Sequence, residues 1–189
     1  MNSIIRFCCL ILVFVAFGCS QDFTPKPRGY PRIEFPEKNY AAFNAECPFT
    51  FSYPTFCKIT LAEGNSNPCW FNIDYPFLRG RIHLSYKKIE DDLNKLLEDS
   101  RTLVFKHTVK ASAIREHDVI STDRKVYAKV YNIDGNVASS IQFFATDSVH
   151  HFLRGALYFN AAADADSLQP AIDFVSEDIE ELIESLNWR

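Results

Sequence analysis

The sequence predicts an α+β domain in which helices cover an antiparallel sheet. Three observations carry that expectation. Short β-rich runs punctuated by turn residues fill the chain from Pro48 to Tyr86. From Ile89 the apolar spacing changes to three- and four-residue steps. Three more β-rich runs follow, and a second helical stripe comes last. Strands, helix, three antiparallel strands and helix, in that order, make a layered domain. Composition supplies the core, since hydrophobic residues make up 47 % of the chain, with 17 Phe and 8 Tyr.

Each element has its own signature. Phe49-Thr50-Phe51-Ser52-Tyr53 alternates aromatic with polar side chains and stops at Pro54, as a half-buried strand does. A second run covers 56–61 and ends in the loop composition Glu63-Gly64-Asn65-Ser66-Asn67-Pro68. Trp70–Tyr75 and Arg81–Tyr86 are the next two strands. Ile89, Leu93, Leu96, Leu97, Val104, His107, Ala111 and Ile114 mark an amphipathic helix, with Glu90, Asp91, Asp92, Lys95, Glu98 and Asp99 on its other face. Its early acids suit the positive end of the helix dipole. Thr102 to Thr108 is β-branched and aromatic, so a break is expected there with the helix resuming beyond it.

Strands are predicted over 126–133, 137–146 and 152–160. Asp134-Gly135-Asn136 makes the first hairpin turn, because Asp-Gly tolerates positive φ. Asp147 to His151 makes the second. Ser167 is placed as the N-cap of the last helix, with Pro170 in its first turn. Ile172, Val175, Ile179, Leu182, Ile183 and Leu186 form its apolar stripe. Glu177, Asp178, Glu180, Glu181 and Glu184 form an acidic stripe expected to face water.

The opening residues follow another logic. Met1 to Arg6 carries one basic side chain and precedes the apolar run Phe7 to Phe17. That run is too short for a membrane-spanning helix of about 20 residues but suits the core of a signal peptide. Ala16-Phe17-Gly18-Cys19 resembles a lipobox, which places a lipidated cysteine just after the cut, although Ala16 stands where leucine is usual. The expected organisation is a lipoprotein signal peptide over 1–18, lipid on Cys19, a proline-rich tether over 19–36 and one globular domain over 37–189. Pro25, Pro27, Pro31 and Pro36 favour an extended tether. Two or three acyl chains, at about 0.8 kcal/mol per buried methylene, make attachment to a membrane lasting.

Charge and cysteine usage narrow the partners. A net charge of −4 argues against nucleic acid and against anionic lipid headgroups as partners of the surface. Of 6 cysteines, Cys8 and Cys9 leave with the signal and Cys19 takes lipid, so Cys47, Cys57 and Cys69 remain. An oxidising compartment favours one disulfide and one leftover thiol, and three pairings stay open on spacing alone. The gaps between these cysteines hold no histidine and fit no zinc pattern, so no metal is expected.

The histidines are the first candidates for chemistry. His150 and His151 adjoin Asp147 and Ser148, but neighbours in a strand point to opposite faces and a tight turn is mostly solvated. Without a Gly-x-Ser-x-Gly elbow the group reads as a solvent-facing turn. His83 and His107 lie in apolar-patterned elements and read as hydrogen-bonded core histidines, whereas His117 falls in a charged loop. Arg154 stands among Phe152, Leu153, Leu157 and Phe159. It either alternates outward to water or pairs with a carboxylate, organising a binding face with Phe152, Gly155 and Tyr158. The gap at Gly155 would let a neighbouring backbone or partner approach. The chain has no phosphate-binding glycine loop, His-Glu-x-x-His or Cys-x-x-Cys, so no catalytic set, nucleotide or other cofactor is expected.

Several stretches carry more than composition. Tyr30-Pro31-Arg32-Ile33, Cys47-Pro48-Phe49, Cys69-Trp70 and Ile82-His83-Leu84-Ser85-Tyr86 occur in order. Phe105-Lys106-His107-Thr108, the run Ala138 to Ser148 and His151-Phe152-Leu153-Arg154-Gly155-Ala156-Leu157-Tyr158-Phe159-Asn160 follow. Asp166-Ser167-Leu168, Asp178 and Trp188 complete the series. With the lipobox-like start, the chain resembles the gliding motility lipoprotein GldD family of gliding Bacteroidota over nearly all of its mature part.

That resemblance implies a cell-envelope lipoprotein required for gliding, in machinery coupled to type IX secretion, with no enzyme activity or cofactor. It also implies a Cys47–Cys69 disulfide, because both residues fall in the family's motifs, and leaves Cys57 free. Such a crosslink stabilises by about 2–4 kcal/mol. Surface-exposed lipoproteins in that phylum tend to carry an acidic run after the cysteine. Ser20-Gln21-Asp22-Phe23-Thr24 has a lone acid, which predicts a periplasm-facing domain. A weaker, fold-level similarity is to PsbP/Mog1-type αβα sandwiches with a central, mostly antiparallel sheet; fold alone does not fix function.

Three functions compete on this basis. The first is a non-enzymatic docking component that binds other gliding and secretion proteins, which predicts an exposed aromatic patch. The second is a carrier or sensor of a small apolar ligand, which predicts a deep cavity between sheet and helix. A hydrolase is the remote third, and predicts a histidine and a carboxylate within hydrogen-bond reach in a cleft.

Overall fold

Alternating side chains let a strand serve two faces at once, and the strands of this chain use that to build one large sheet between a main core and two smaller apolar clusters. The computed structural model describes residues 34–64, 67–160 and 165–189. The expected signal peptide, Cys19 and most of the tether lie outside the described residues. In chain order the elements are β1 (Tyr40–Phe43), β2 (Phe49–Pro54), β3 (Lys58–Leu61), β4 (Trp70–Tyr75), β5 (Gly80–Lys88), α1 (Leu93–Phe105), β6 (Ala111–Ser121), β7 (Val126–Gly135), β8 (Ser139–Thr146), β9 (His151–Phe159), α2 (Ala165–Glu184) and β10 (Asn187–Trp188). All of them lie within the compact unit Ile33–Arg189.

Seven strands form the large sheet in the order β3-β4-β5-β9-β8-β7-β6. Every neighbouring pair is antiparallel. Within this sheet the central β5–β9 pairing joins the residues farthest apart in sequence, running from Gly80↔Phe159 to Lys88↔His151. A second, three-stranded sheet has the order β1-β2-β10.

The main core lies on one face of the large sheet. Phe71, Ile73, Ile82, Leu84, Leu153, Leu157, Ile141 and Phe143 meet Phe43, Phe49 and Phe51 of the small sheet and Val175, Ile179 and Ile183 of α2. Complete burial of a Leu, Ile or Phe side chain contributes about 1.5–3 kcal/mol, so this face dominates stability. The rings of Phe43 and Phe71 stack 4.5 Å apart, and those of Phe43 and Phe51 4.8 Å apart. The other face carries two smaller clusters. Leu96 of α1 joins Ile89 and Phe152, while Val104 joins Tyr131, Ile133 and Val137.

Both expected helices differ in extent: α1 begins only at Leu93, so Ile89, Glu90, Asp91 and Asp92 precede it and no acid lies in its first turn. The helix does not resume after its break: α1 ends at Phe105, a turn follows, and Ala111 and Ile114 belong to β6. The register of β6 on β7 shifts between Ala111 and Ala113. That bulge puts Ala111 and Ile114, three residues apart, against the same cluster, so a strand imitates a helical period. His117 is therefore a strand residue rather than a loop residue. At the other helix, α2 already includes Ala165, ahead of the expected cap Ser167, and Pro170 lies inside it.

Gly135 shows why the predicted hairpin turn works. Its φ is +110°, and a Cβ there would sit 2.7 Å from the Lys110 carbonyl oxygen. Only glycine combines that conformation with so close an approach.

Candidate functional site

The β4–β5 hairpin and the end of β9 bound an open cleft of about 630 Å³ lined by Asp74, Arg79, Arg81, His83, Tyr158 and Asn160, among others. Strand alternation creates it. Phe71, Ile73 and Tyr75 turn into the main core, which leaves Trp70, Asn72 and Asp74 on the opposite face. Asp74 lies opposite Arg81 in the register, and the Arg81 Nε donates to its carboxylate. The Thr60 hydroxyl donates to the second oxygen of Asp74 at 2.7 Å. That carboxylate is fully engaged.

Arg79 is different. It sits in the turn after β4 with φ at +50°, held there by its own N–H on the Pro76 carbonyl and by Asn160, whose N–H donates to the Arg79 carbonyl at 2.8 Å. Its guanidinium is exposed and makes no hydrogen bond or ion pair among the described residues. His83 packs edge-on to Tyr158, with ring centroids 5.4 Å apart. Partial burial lowers the His83 pKa below its ordinary value, helped by Arg81 and opposed by Asp74, which favours the neutral ring. Beside these residues Asn72 is buried, and its Oδ1 has no hydrogen-bond partner. The cleft thus offers one available cation, an imidazole, a phenol and an amide, and no nucleophile beside a base.

The residues expected to form a binding face are not together. Phe152 is 2 % exposed and packs against α1. Gly155 faces the main core, where a Cβ would fall 2.2 Å from the Phe143 ring, so what approaches the glycine is the protein's own phenylalanine. Arg154 is half-buried and donates to the Gln142 amide oxygen at 2.6 Å, a neutral partner instead of a carboxylate. Burial lowers its pKa. Tyr158 alone of the four lines the cleft.

Among the histidines only His150 sits where expected, on the surface. His83 is exposed on the sheet face and not in the core. His107 is half-buried in the turn after α1. His117 contacts Glu180 of α2 at 2.8 Å on the surface. His150 is exposed, and its Nδ1 is 3.7 Å from the Asp147 carboxylate, beyond hydrogen-bond reach. His151 is half-buried: its ring stacks on Trp188 at 5.2 Å, and its Nδ1 lies 2.8 Å from the Tyr86 hydroxyl. Asp147 accepts the backbone N–H groups of Val149, His150 and His151. Burial disfavours its charge, yet those donors prevail and hold its pKa below the usual range.

Cys47 and Cys69 are joined, with Cα atoms 5.7 Å apart, and pin the loop before β2 to the turn before β4. Cys57 is a buried free thiol. Burial and the charge of Asp178 push its pKa up to about 12, so it is a poor nucleophile at neutral pH.

Sequence reasoning missed Asp178. The acidic stripe is not uniform: Asp178 is 2 % exposed. It accepts the hydroxyls of Tyr40 at 2.8 Å and Tyr75 at 3.2 Å and pairs with Lys38 at 3.0 Å. Lys38 also donates to the Phe174 carbonyl at 2.6 Å and lies over the Phe174 ring. Phe35 stacks on that same ring at 4.4 Å. A strap of residues 35–40 is thereby fastened to α2. A signal was available, because Asp178 lies between the core residues Val175 and Ile179 at helical spacing.

Among the described residues no group of three or more His, Cys, Asp and Glu side chains converges on a metal-sized site, and no helix is long and apolar enough to cross a membrane. Residues 20–188 match the family described as gliding motility lipoprotein GldD. Comparison with curated protein sequences finds no match. Among solved structures, the chain is similar to the cyanobacterial PsbP (CyanoP) of Synechocystis sp. PCC 6803. The TM-score is 0.51 at 9 % identity, over 84 % of this chain and 98 % of that one. At that identity the likeness shows a shared fold alone.

Proposed function

We propose that this chain, which belongs to the gliding motility lipoprotein GldD family, works as a non-enzymatic docking component of the gliding and type IX secretion machinery. The family is one of membrane-attached lipoproteins with a role in gliding motility. In this reading lipid on Cys19 holds the protein on a membrane, residues 19–36 serve as the tether, and the domain faces the periplasm. The Cys47–Cys69 bond is then a permanent staple in an oxidising compartment. Separate apolar clusters for α1 and α2 support the finer description of the fold as an αβα sandwich.

The observation that carries docking over the alternatives is the form of the cleft. It is open, and it combines the available Arg79 guanidinium with His83, Tyr158 and Asn160. Such a surface suits the side chains of a protein partner. An apolar-ligand carrier would need space between sheet and α2, where Phe71, Phe143, Leu153, Val175 and Ile179 are all buried within one cluster. Photo-crosslinking in living cells, with the reactive group in place of Arg79 or His83, tests the proposal. Gliding or secretion proteins are expected among the crosslinked products. Recovery of none from either position sinks it. Protease treatment of intact cells tests the orientation, and digestion of the domain would overturn the periplasmic placement.

A further inference from the structure

The C-terminal tip of α1 and the turn beyond it concentrate exposed apolar surface. Val109 is 91 % exposed, Phe105 41 % and Leu103 38 %. Side chains of this size normally find cover, and three within seven residues of chain are not a scattering of single exposures. The charges around them are of one sign. From Ser100 to Arg115 the chain holds Arg101, Lys106, Lys110 and Arg115 and no Asp or Glu, whereas the whole chain carries −4. Arg115 is engaged by Asp134 at 2.9 Å. Arg101 lies over the Phe105 ring, and among the described residues neither Lys106 nor Lys110 has an ion pair. Asp99 and Glu116 are the flanking acids in sequence. His107 lies in the middle of the tip, where burial and then Arg154 lower its pKa and so disfavour the charged ring.

We propose that this tip is a peripheral membrane contact that inserts Phe105 and Val109 among anionic phospholipid headgroups. Exposed apolar side chains interleaved in sequence with exposed cations match the two components of an interfacial bilayer site, burial at the acyl boundary and attraction to negative headgroups. The net acidity of the chain conceals the site, because the opposing charges lie elsewhere. The contact is independent of Cys19 and adds a second point of attachment to any lipid anchor.

Sedimentation with vesicles tests it. Residues 34–189 contain both sheets, both helices, the disulfide and the apolar clusters, so this piece keeps its own core without the anchor. It is expected to bind vesicles of equal parts phosphatidylglycerol and phosphatidylcholine and not vesicles of phosphatidylcholine alone. Each removed cation near the surface lowers partitioning by about fivefold, so the Lys106→Gln/Lys110→Gln double variant should lose about 25-fold. Val109→Ser should lose about tenfold. Both variants alter exposed side chains and should melt at the parent temperature. Absence of binding to the anionic vesicles overturns the proposal, whether or not the tip captures an acidic protein. Binding that survives all three substitutions overturns it as well. The docking reading stands or falls separately, since its crosslinks start from Arg79 and His83.

Discussion

α2 and α1 differ in how firmly each is held. α2 is tied by the strap of residues 35–40, by a serine that receives the Ser52 N–H at 2.8 Å, and by a buried carboxylate with three donors. α1 meets the sheet through Leu96, Val104 and a few neighbours, and it ends in exposed apolar residues. The contrast teaches that stability and availability are kept on opposite faces of one sheet. The face that must not move holds the aromatic core and the disulfide. The face with less to lose holds the cleft and the tip.

The largest expected effect tests the tie at α2. Asp178→Ala strands Lys38 and two tyrosine hydroxyls, and should lower unfolding free energy by about 3–5 kcal/mol in urea denaturation. A loss under about 1 kcal/mol would erase the contrast between the helices. Leu96→Ala, on the looser side, should cost about 2 kcal/mol. Hydrogen exchange in the same variant sharpens the comparison, because α1 amides should speed up while those of α2 keep their protection.

Acidity probes the seam where the two regions meet at the end of the sheet. His151 is held neutral first by burial, with His150 acting in the same sense and Asp147 against it. Its folded pKa is below the unfolded value of about 6.5. Stability from the neutral ring is therefore complete above about pH 6.5 and is lost as pH falls toward the folded pKa. His151→Phe keeps a ring against Trp188 and should flatten melting temperature against pH in that window; an unchanged slope would assign the acid sensitivity elsewhere. The smallest effect belongs to the surface. Glu180→Gln weakens the contact of α2 with His117 and should cost less than about 1 kcal/mol.

Much of this architecture was legible from residue order. Alternation marked β2, β4, β5 and β7 to β9, and the Asp134-Gly135 turn was readable because its geometry tolerates few residues. β6 was not legible, since a bulge turned a strand's period into a helix's. β1 and β10 escaped for another reason: four and two residues carry too little pattern to stand out. Asp178 hid among four other acids, and its burial depends on Lys38 and Tyr40 more than a hundred residues away. The cleft was invisible for the same reason, because Arg79 and Asn160 become neighbours only when β5 pairs with β9. Local patterns were readable from residue order, and features that depend on that pairing were not.

The small sheet has a consequence for the order of events during synthesis. β10 pairs with β2 through Trp188 opposite Phe49, and the Arg189 N–H donates to the Pro48 carbonyl at 2.9 Å. The strap at residues 35–40 finds its carboxylate on α2. The earliest part of the domain to emerge thus waits for the latest before either is settled, which gives folding a high contact order and slows it. A chain that stays open until its last residues arrive remains threadable, as the proposed export of this domain would require.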